Sequence, residues 1–298
     1  MTRRTDRGLA VVFLVAVCFA GVPVAEVRAD AAPAGSAARP RAPDFAEEHG
    51  LVLPTAQHTV DEVPGNATVV LQRETVSLDG VAVGSIGEVL KTQRLTRLDE
   101  LFDALKERRA AWKEAHAGAA FPGVAVLWLP GDTPLVVAKS IFQTAAFAGY
   151  PYLSFAVRPQ GHPDRLARIN GDAIVPGPPV SAESPALHVT AEAGADVMLT
   201  WKLGNRVVSS VTVGERVEAD KSAFPILAAA IRQEWRKSGK HRTRNDRRFD
   251  SAVLHTTGSL RMQTMVALMD SVYAPSREFS FHGHAVSVPA FDLSLSVH

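Results

Sequence analysis

The chain repeats itself. Ala125, Val126 and Leu127 are followed by Gly131, and Ala252, Val253 and Leu254 by Gly258, so both stretches read A-V-L-x-x-x-G. After each glycine the apolar residues fall at helical spacing. In the first block Val137, Ile141, Ala145 and Ala148 make a face that stops at Gly149; in the second, Met262, Met265, Val266, Met269, Val272 and Tyr273 make one that stops at Pro275. Thr133 and Ser259 are expected to cap these helices, with Pro134 at the first helical position. Another helix precedes each A-V-L run, marked by Leu98, Leu101, Phe102, Leu105 and Trp112 in one block and by Phe224, Leu227, Ala228, Ile231 and Trp235 in the other. Both tryptophans lie in phase with the apolar face, which makes them core anchors rather than recognition aromatics.

Alternating β-type runs lie ahead of these helices: Thr68 to Leu71 and Val76 to Val83 in the first block, Val197 to Trp201 and Arg206 to Val213 in the second. Asp79-Gly80 and Gly204-Asn205 supply turns. Tyr152 to Val157 and Phe291 to Val297 supply the closing strands. Each block therefore reads β-β-α-β-α-β, and the expected fold class is α+β: two tandem domains, each a small sheet packed by two helices. The second block carries an insertion, Arg277 to Ser287, read as an extra strand or hairpin. The domains are expected at 66–158 and 186–298, joined by a linker, 159–185, that holds Pro163, Pro176, Pro178, Pro179 and Pro185. Residues 30–65 open on an Ala/Pro-rich stretch and read as a spacer.

Residues 1–29 read as a secretory signal. Arg3, Arg4 and Arg7 precede the uncharged run Gly8 to Ala25, and Val27-Arg28-Ala29 suits cleavage between Ala29 and Asp30. The lesser option is an uncleaved inner-membrane anchor, since the run sits at the lower length limit for spanning a bilayer. Either way the rest of the chain is placed on the periplasmic or extracytoplasmic side. Cys18 could mark a lipoprotein, but Val17 before it suits that cut poorly. Cys18 is also the only cysteine, so the processed chain can form no disulfide and use no thiolate.

Removal of residues 1–29 leaves 28 Lys and Arg against 29 Asp and Glu. That balance argues against a dedicated nucleic-acid binder. Catalytic spacings such as G-x-S-x-G, S-x-x-K, H-E-x-x-H and a phosphate loop are absent from the sequence, so no enzyme, cofactor or metal is expected. His282 and His284 flank Gly283, with His255 and His298 in the same block; a metal site needs three or four converging ligands, and these read as polar residues of an exposed insertion. Asp132 reads as a turn or cap residue. One charge cluster stands out: Arg236, Lys237, Lys240, Arg242, Arg244, Arg247 and Arg248, relieved by Asp246. It reads either as a solvated loop or as a contact for an anionic envelope surface.

The run Leu129-Pro130-Gly131-Asp132, then Thr133-Pro134-Leu135, then the helix end Ala145-Ala146-Phe147-Ala148-Gly149-Tyr150 resembles the periplasmic domain of the ExbD/TolR family. The family shows a valine-rich strand, an Asp, a short Val-Pro-Tyr-like approach to a helix and an Ala-Gly-aromatic exit. The second block looks like a diverged copy, with Ser259 at the place of Asp132 and Ala274-Pro275 at the exit. The resemblance implies a non-enzymatic envelope protein, similar to the periplasmic part of a biopolymer-transport subunit. The partners it implies belong to ExbB/TolQ- or TonB-type machinery, and its domains would pair within the chain. Family members carry an acidic residue in a transmembrane helix for proton use. Gly8 to Ala25 has none, which withdraws that role. The alternative from another class is an extracytoplasmic ligand- or cell-wall-binding module.

Overall fold

The structure is a computed structural model that describes residues 46, 50–60, 65–174, 184–281 and 284–296. The expected signal segment, with its cleavage site at Ala29 and Asp30, lies outside these residues, as do His282, Gly283 and His298. The described residues belong to one compact unit.

The strands are β1 (Thr55–Ala56), β2 (Ala67–Gln72), β3 (Thr75–Leu78), β4 (Val81–Ser85), β5 (Val124–Trp128), β6 (Tyr152–Pro159), β7 (Ala167–Ile174), β8 (Ala186–Ala191), β9 (Asp196–Leu203), β10 (Arg206–Arg216), β11 (Asp250–Thr256), β12 (Ser276–Phe281), β13 (His284–Pro289) and β14 (Phe291–Ser296). The helices are α1 (Gly87–Thr92), α2 (Asp99–Ala115), α3 (Leu135–Phe147), α4 (Pro225–Ser238) and α5 (Met262–Tyr273).

Two separate small sandwiches do not form, which corrects the expected fold class. Twelve strands join one mixed sheet in the order β10-β9-β8-β11-β14-β7-β6-β5-β2-β3-β4, with β1 added beside β6. The correction has two sources. First, each block contributes three strands before its long helix: Asp79 and Gly80 break the run Val76 to Val83 into β3 and β4, both residues taking positive φ, and β8 precedes β9. Second, the stretch read as a linker supplies β7, the strand that welds the blocks. β7 is antiparallel to β6 and parallel to β14. The blocks therefore run in opposite directions within one sheet, each in the order third, second, first, fourth and last strand from its free edge. The insertion after α5 forms the separate hairpin β12-β13.

The helices follow the apolar pattern. α2 buries Leu101 and Leu105 and exposes its charged side, whereas α3 is buried almost all round. Polar groups on α3 serve neighbours: Ser140 and Thr144 accept the backbone N–H groups of Thr96 and Leu98 at 3.1 and 3.0 Å, fixing the approach to α2.

Thr133 and Ser259 do not cap α3 and α5. The N–H groups at the start of an α-helix have no partner within it, and here each helix finds them in the other block. Leu135 and Val136 donate to the carbonyls of Leu260 and Gly258, and Met262 and Gln263 donate to those of Thr133 and Gly131. The four bonds exchange under a shift of 127 residues, the spacing of the A-V-L-x-x-x-G repeat. The repeat glycines allow the approach. A Cβ at Gly258 would lie 3.2 Å from the Cβ of Val136, and one at Gly131 would lie 3.5 Å from that of Gln263.

Part of the stretch read as a spacer is also built into the fold. Leu51 and Leu53 are buried with Val70, Val126, Trp128 and Ala156 in a second apolar cluster. β1 pairs with the end of β6. Gln263 and Asp270, seven residues apart on α5, hold the backbone that follows: Gln263 bonds Thr55 on both its N–H and C=O, and Asp270 accepts the N–H groups of Gln57 and His58 at 2.8 and 2.6 Å. Among the described residues no helix is long and apolar enough to cross a membrane.

Candidate functional site

β7 and β14 are not paired along their whole length. Their ladder covers only Asp172–Ile174 against Ser294–Ser296. At its other end β7 turns its free side to Val60, which forms a bridge with Arg168. A cavity of about 480 Å³ opens in this seam, walled by Val60, Ile169, Phe249, Val288 and Phe291. The splay leaves the Asn170 carbonyl without a ladder partner on that side, and the Tyr273 hydroxyl donates to it at 2.6 Å. Burial, then the charges of Asp292 and Asp172, push the Tyr273 phenol well above its ordinary range, so it stays a donor.

Two carboxylates lie close to the seam. Asp172 is raised to about 6 by burial and then by the negative charge of Asp292, and Asp292 is itself raised by burial. The Asp292 charge disfavours the ionisation of Asp172. Asp292 lines the cavity, and the pair makes this region hungry for a proton or a hydrogen-bond donor. His58, which also lines the cavity, is committed to structure, its ring 3.2 Å from Asp270. Apolar walls with a few acceptors suit binding better than covalent chemistry.

Three other basic side chains lie elsewhere, two half-buried in the sheet and one buried on α3. His188 and His255 stack with ring centroids 5.0 Å apart and nitrogens 2.8 Å apart. Burial, then His255, then Lys202 hold His188 down at about 4. Lys139, on α3, donates to the Thr256 carbonyl of the other block, and burial lowers it to about 8.

The residues singled out from the sequence are placed as follows. Asp132 is exposed in a turn, its carbonyl accepting Arg261 at 3.4 Å. His255 meets His188, and His284 is exposed at the start of β13; no three His, Cys, Asp or Glu side chains among the described residues form a metal-binding group. Trp235 is buried and donates to Asp250 at 2.9 Å. Trp112 is half-buried, stacked on His116 at 4.4 Å. Arg236 and Lys237 are exposed in the last turn of α4, and Lys240, Arg242, Arg244, Arg247 and Arg248 are exposed on the loop that joins α4 to β11. Asp172, Asp292 and Tyr273 were missed. The available signal was the pattern Phe291 to Ser296, where an Asp alternates with buried apolar residues; Asp172 lay in the stretch read as a linker.

No protein-family model matches the sequence, and no curated relative matches it. Among solved structures, the PPX-GPPA enzyme of Aquifex aeolicus is similar at 13% identity and a TM-score of 0.19, over 63% of this chain and 66% of that one. The match therefore spans just under two thirds of that enzyme's length.

Proposed function

We propose that the protein is a non-enzymatic protein of the periplasm or cell envelope, exported by its N-terminal segment and similar to the periplasmic part of an ExbD/TolR biopolymer-transport subunit. It acts through protein contacts and carries no protons of its own. The observation that supports this reading is the reciprocal pairing about Pro134 and Arg261. Two units of like order close on one another inside one chain and leave β4 and β10 as the ends of a single sheet. An open strand edge can take a partner's strand, and β10 exposes Val207, Val208 and Val211 along eleven residues.

The test is photo-crosslinking from position 208 in the native envelope. Capture of an ExbB/TolQ- or TonB-type protein is expected, with loss of capture when Val207 and Val211 are both changed to Lys. Capture that survives those changes removes the edge from the reading, and absence of any envelope partner removes the reading itself.

The seam cavity favours a second reading, an extracytoplasmic ligand- or cell-wall-binding module. Native mass spectrometry of the purified protein would then show a bound small molecule or glycan that is lost on substitution of Phe291 by Ala.

A further inference from the structure

The basic loop is built rather than loose. Asp250, 2% exposed, accepts Trp235 Nε1, the Lys240 N–H and the His241 N–H at 2.9, 2.9 and 3.2 Å. Arg277, 5% exposed, donates from its guanidinium to the carbonyls of Thr243, Asp246 and Arg248 at 3.0, 2.7 and 2.8 Å. His241 pairs with Asp246 at 2.8 Å, and the Ser280 N–H of β12 donates to the Arg244 carbonyl. A buried arginine thus holds the backbone of one surface loop by three carbonyls, and a buried aspartate ties the start of that loop to Trp235 of α4.

That scaffold presents cations. Of the seven basic side chains from Arg236 to Arg248, Lys237, Arg244 and Arg248 face Glu234, Glu278 and Asp246. Arg236, Lys240, Arg242 and Arg247 are exposed and have no carboxylate within 4.0 Å among the described residues. The whole chain has a formal charge of only +1, so the surplus is local. The matching loop of the first block, from His116 to Gly123, carries no Lys or Arg.

Beside the cations stand exposed apolar groups. Phe249 is 42% exposed with the Arg277 guanidinium 5.3 Å from its ring, and Val286 of the adjoining hairpin is 44% exposed. We infer that this loop and hairpin dock the protein on an anionic phospholipid bilayer, the cations facing the headgroups and Phe249 and Val286 entering the interface. Cations alone would suit any polyanion; the exposed aromatic among them selects a bilayer, where an apolar group gains by leaving water. This inference is independent of the proposed function.

Sedimentation of the purified protein with vesicles tests it. Binding to phosphatidylcholine vesicles containing phosphatidylglycerol is expected at low salt, with release at high salt and no binding to pure phosphatidylcholine. R236Q, K240Q and R247Q together are expected to weaken binding about a hundredfold, near fivefold for each cation removed. Unchanged thermal unfolding of that variant shows that the loop, not the fold, is altered. F249S is expected to weaken vesicle binding while leaving binding to inorganic polyphosphate unchanged. The inference is overturned if neutral and anionic vesicles bind alike, if neither binds, if the triple variant binds as the parent does, or if F249S leaves vesicle binding unaffected.

Discussion

Pro134 and Arg261 face one another in an antiparallel bridge although 127 residues separate them in the chain. Because 127 is also the spacing of the A-V-L-x-x-x-G repeat, this bridge joins equivalent positions of the two blocks and lies on a local two-fold axis. The helix starts beside it cap each other. The association is isologous, as in a symmetric dimer, but made within one chain.

The two blocks approach more tightly at Gly258 than at Gly131, and this predicts an asymmetry. A methyl group there meets Val136 at 3.2 Å, whereas one at Gly131 meets Gln263 at an ordinary 3.5 Å. Gly258→Ala should cost about 1–2 kcal/mol through overpacking. Gly131→Ala should stay within about 0.5 kcal/mol. Urea unfolding midpoints of the two variants decide it, and equal losses would contradict the geometry.

Lys139 sets the alkaline side of stability. Its folded pKa of about 8 lies below the ordinary lysine value, so between pH 8 and roughly 10.4 the unfolded chain binds more protons than the folded one. Stability should rise with pH across that window. Tyr150 works the other way further up: burial raises it to about 12, so its contribution is lost only as pH climbs from 10 toward 12. Lys139→Met should flatten the rise and stabilise the protein at pH 7 by about 1–2 kcal/mol. A Met variant less stable at pH 7 would show that the bond to Thr256 outweighs the burial of charge.

On the acid side two groups oppose each other. His188, lowered to about 4, makes the unfolded chain the better proton binder between pH 6.5 and 4, so it weakens the fold as pH falls. Asp172, raised to about 6, makes the folded chain the better binder between pH 6 and 4, and strengthens the fold as pH falls. His188→Gln should therefore give a protein whose stability increases on mild acidification. Asp172→Asn should raise stability at pH 7 by about 1 kcal/mol, a figure discounted for the solvent that screens this half-buried group. Thermal melts at pH 7 and pH 5 separate the two.

The repeat made each block legible, because periodicity and turn residues are local signals. Asp79-Gly80, the faces of α3 and α5 and the hairpin insertion were all written in neighbouring residues. The joining of the blocks was not. β7 lies in a stretch whose prolines mask a strand; β6 precedes it closely in the chain, but β14, the partner that brings in the other block, lies more than a hundred residues further on. The caps failed for the same reason: Thr133 and Ser259 look like caps by local rule, but the first-turn N–H groups are taken by carbonyls more than a hundred residues distant. At the seam, the Asp172 and Asp292 pair depends on which strands lie side by side, a property of topology rather than of spacing.

The start of α4 offers the last test of capping at a distance. Pro225 opens the helix and has no N–H to satisfy, and Phe224 before it supplies no side-chain cap. The Leu227 N–H is instead taken by Glu215 of β10 at 2.6 Å, a carboxylate that is almost wholly buried and held by Lys221 at 3.2 Å. An anion at a helix N-terminus is favoured by the aligned backbone dipoles, and the bond is charge-assisted. Glu215→Ala leaves a buried N–H unpaired and should cost about 2–3 kcal/mol. Glu215→Gln keeps an acceptor but loses the charge, and should cost about half as much. Hydrogen exchange localises the effect: the Leu227 amide should lose protection in both variants, more in the Ala form, while the amides of α3 keep theirs. If the loss spreads equally to α3, Glu215 supports the sheet as a whole and is not the cap of α4.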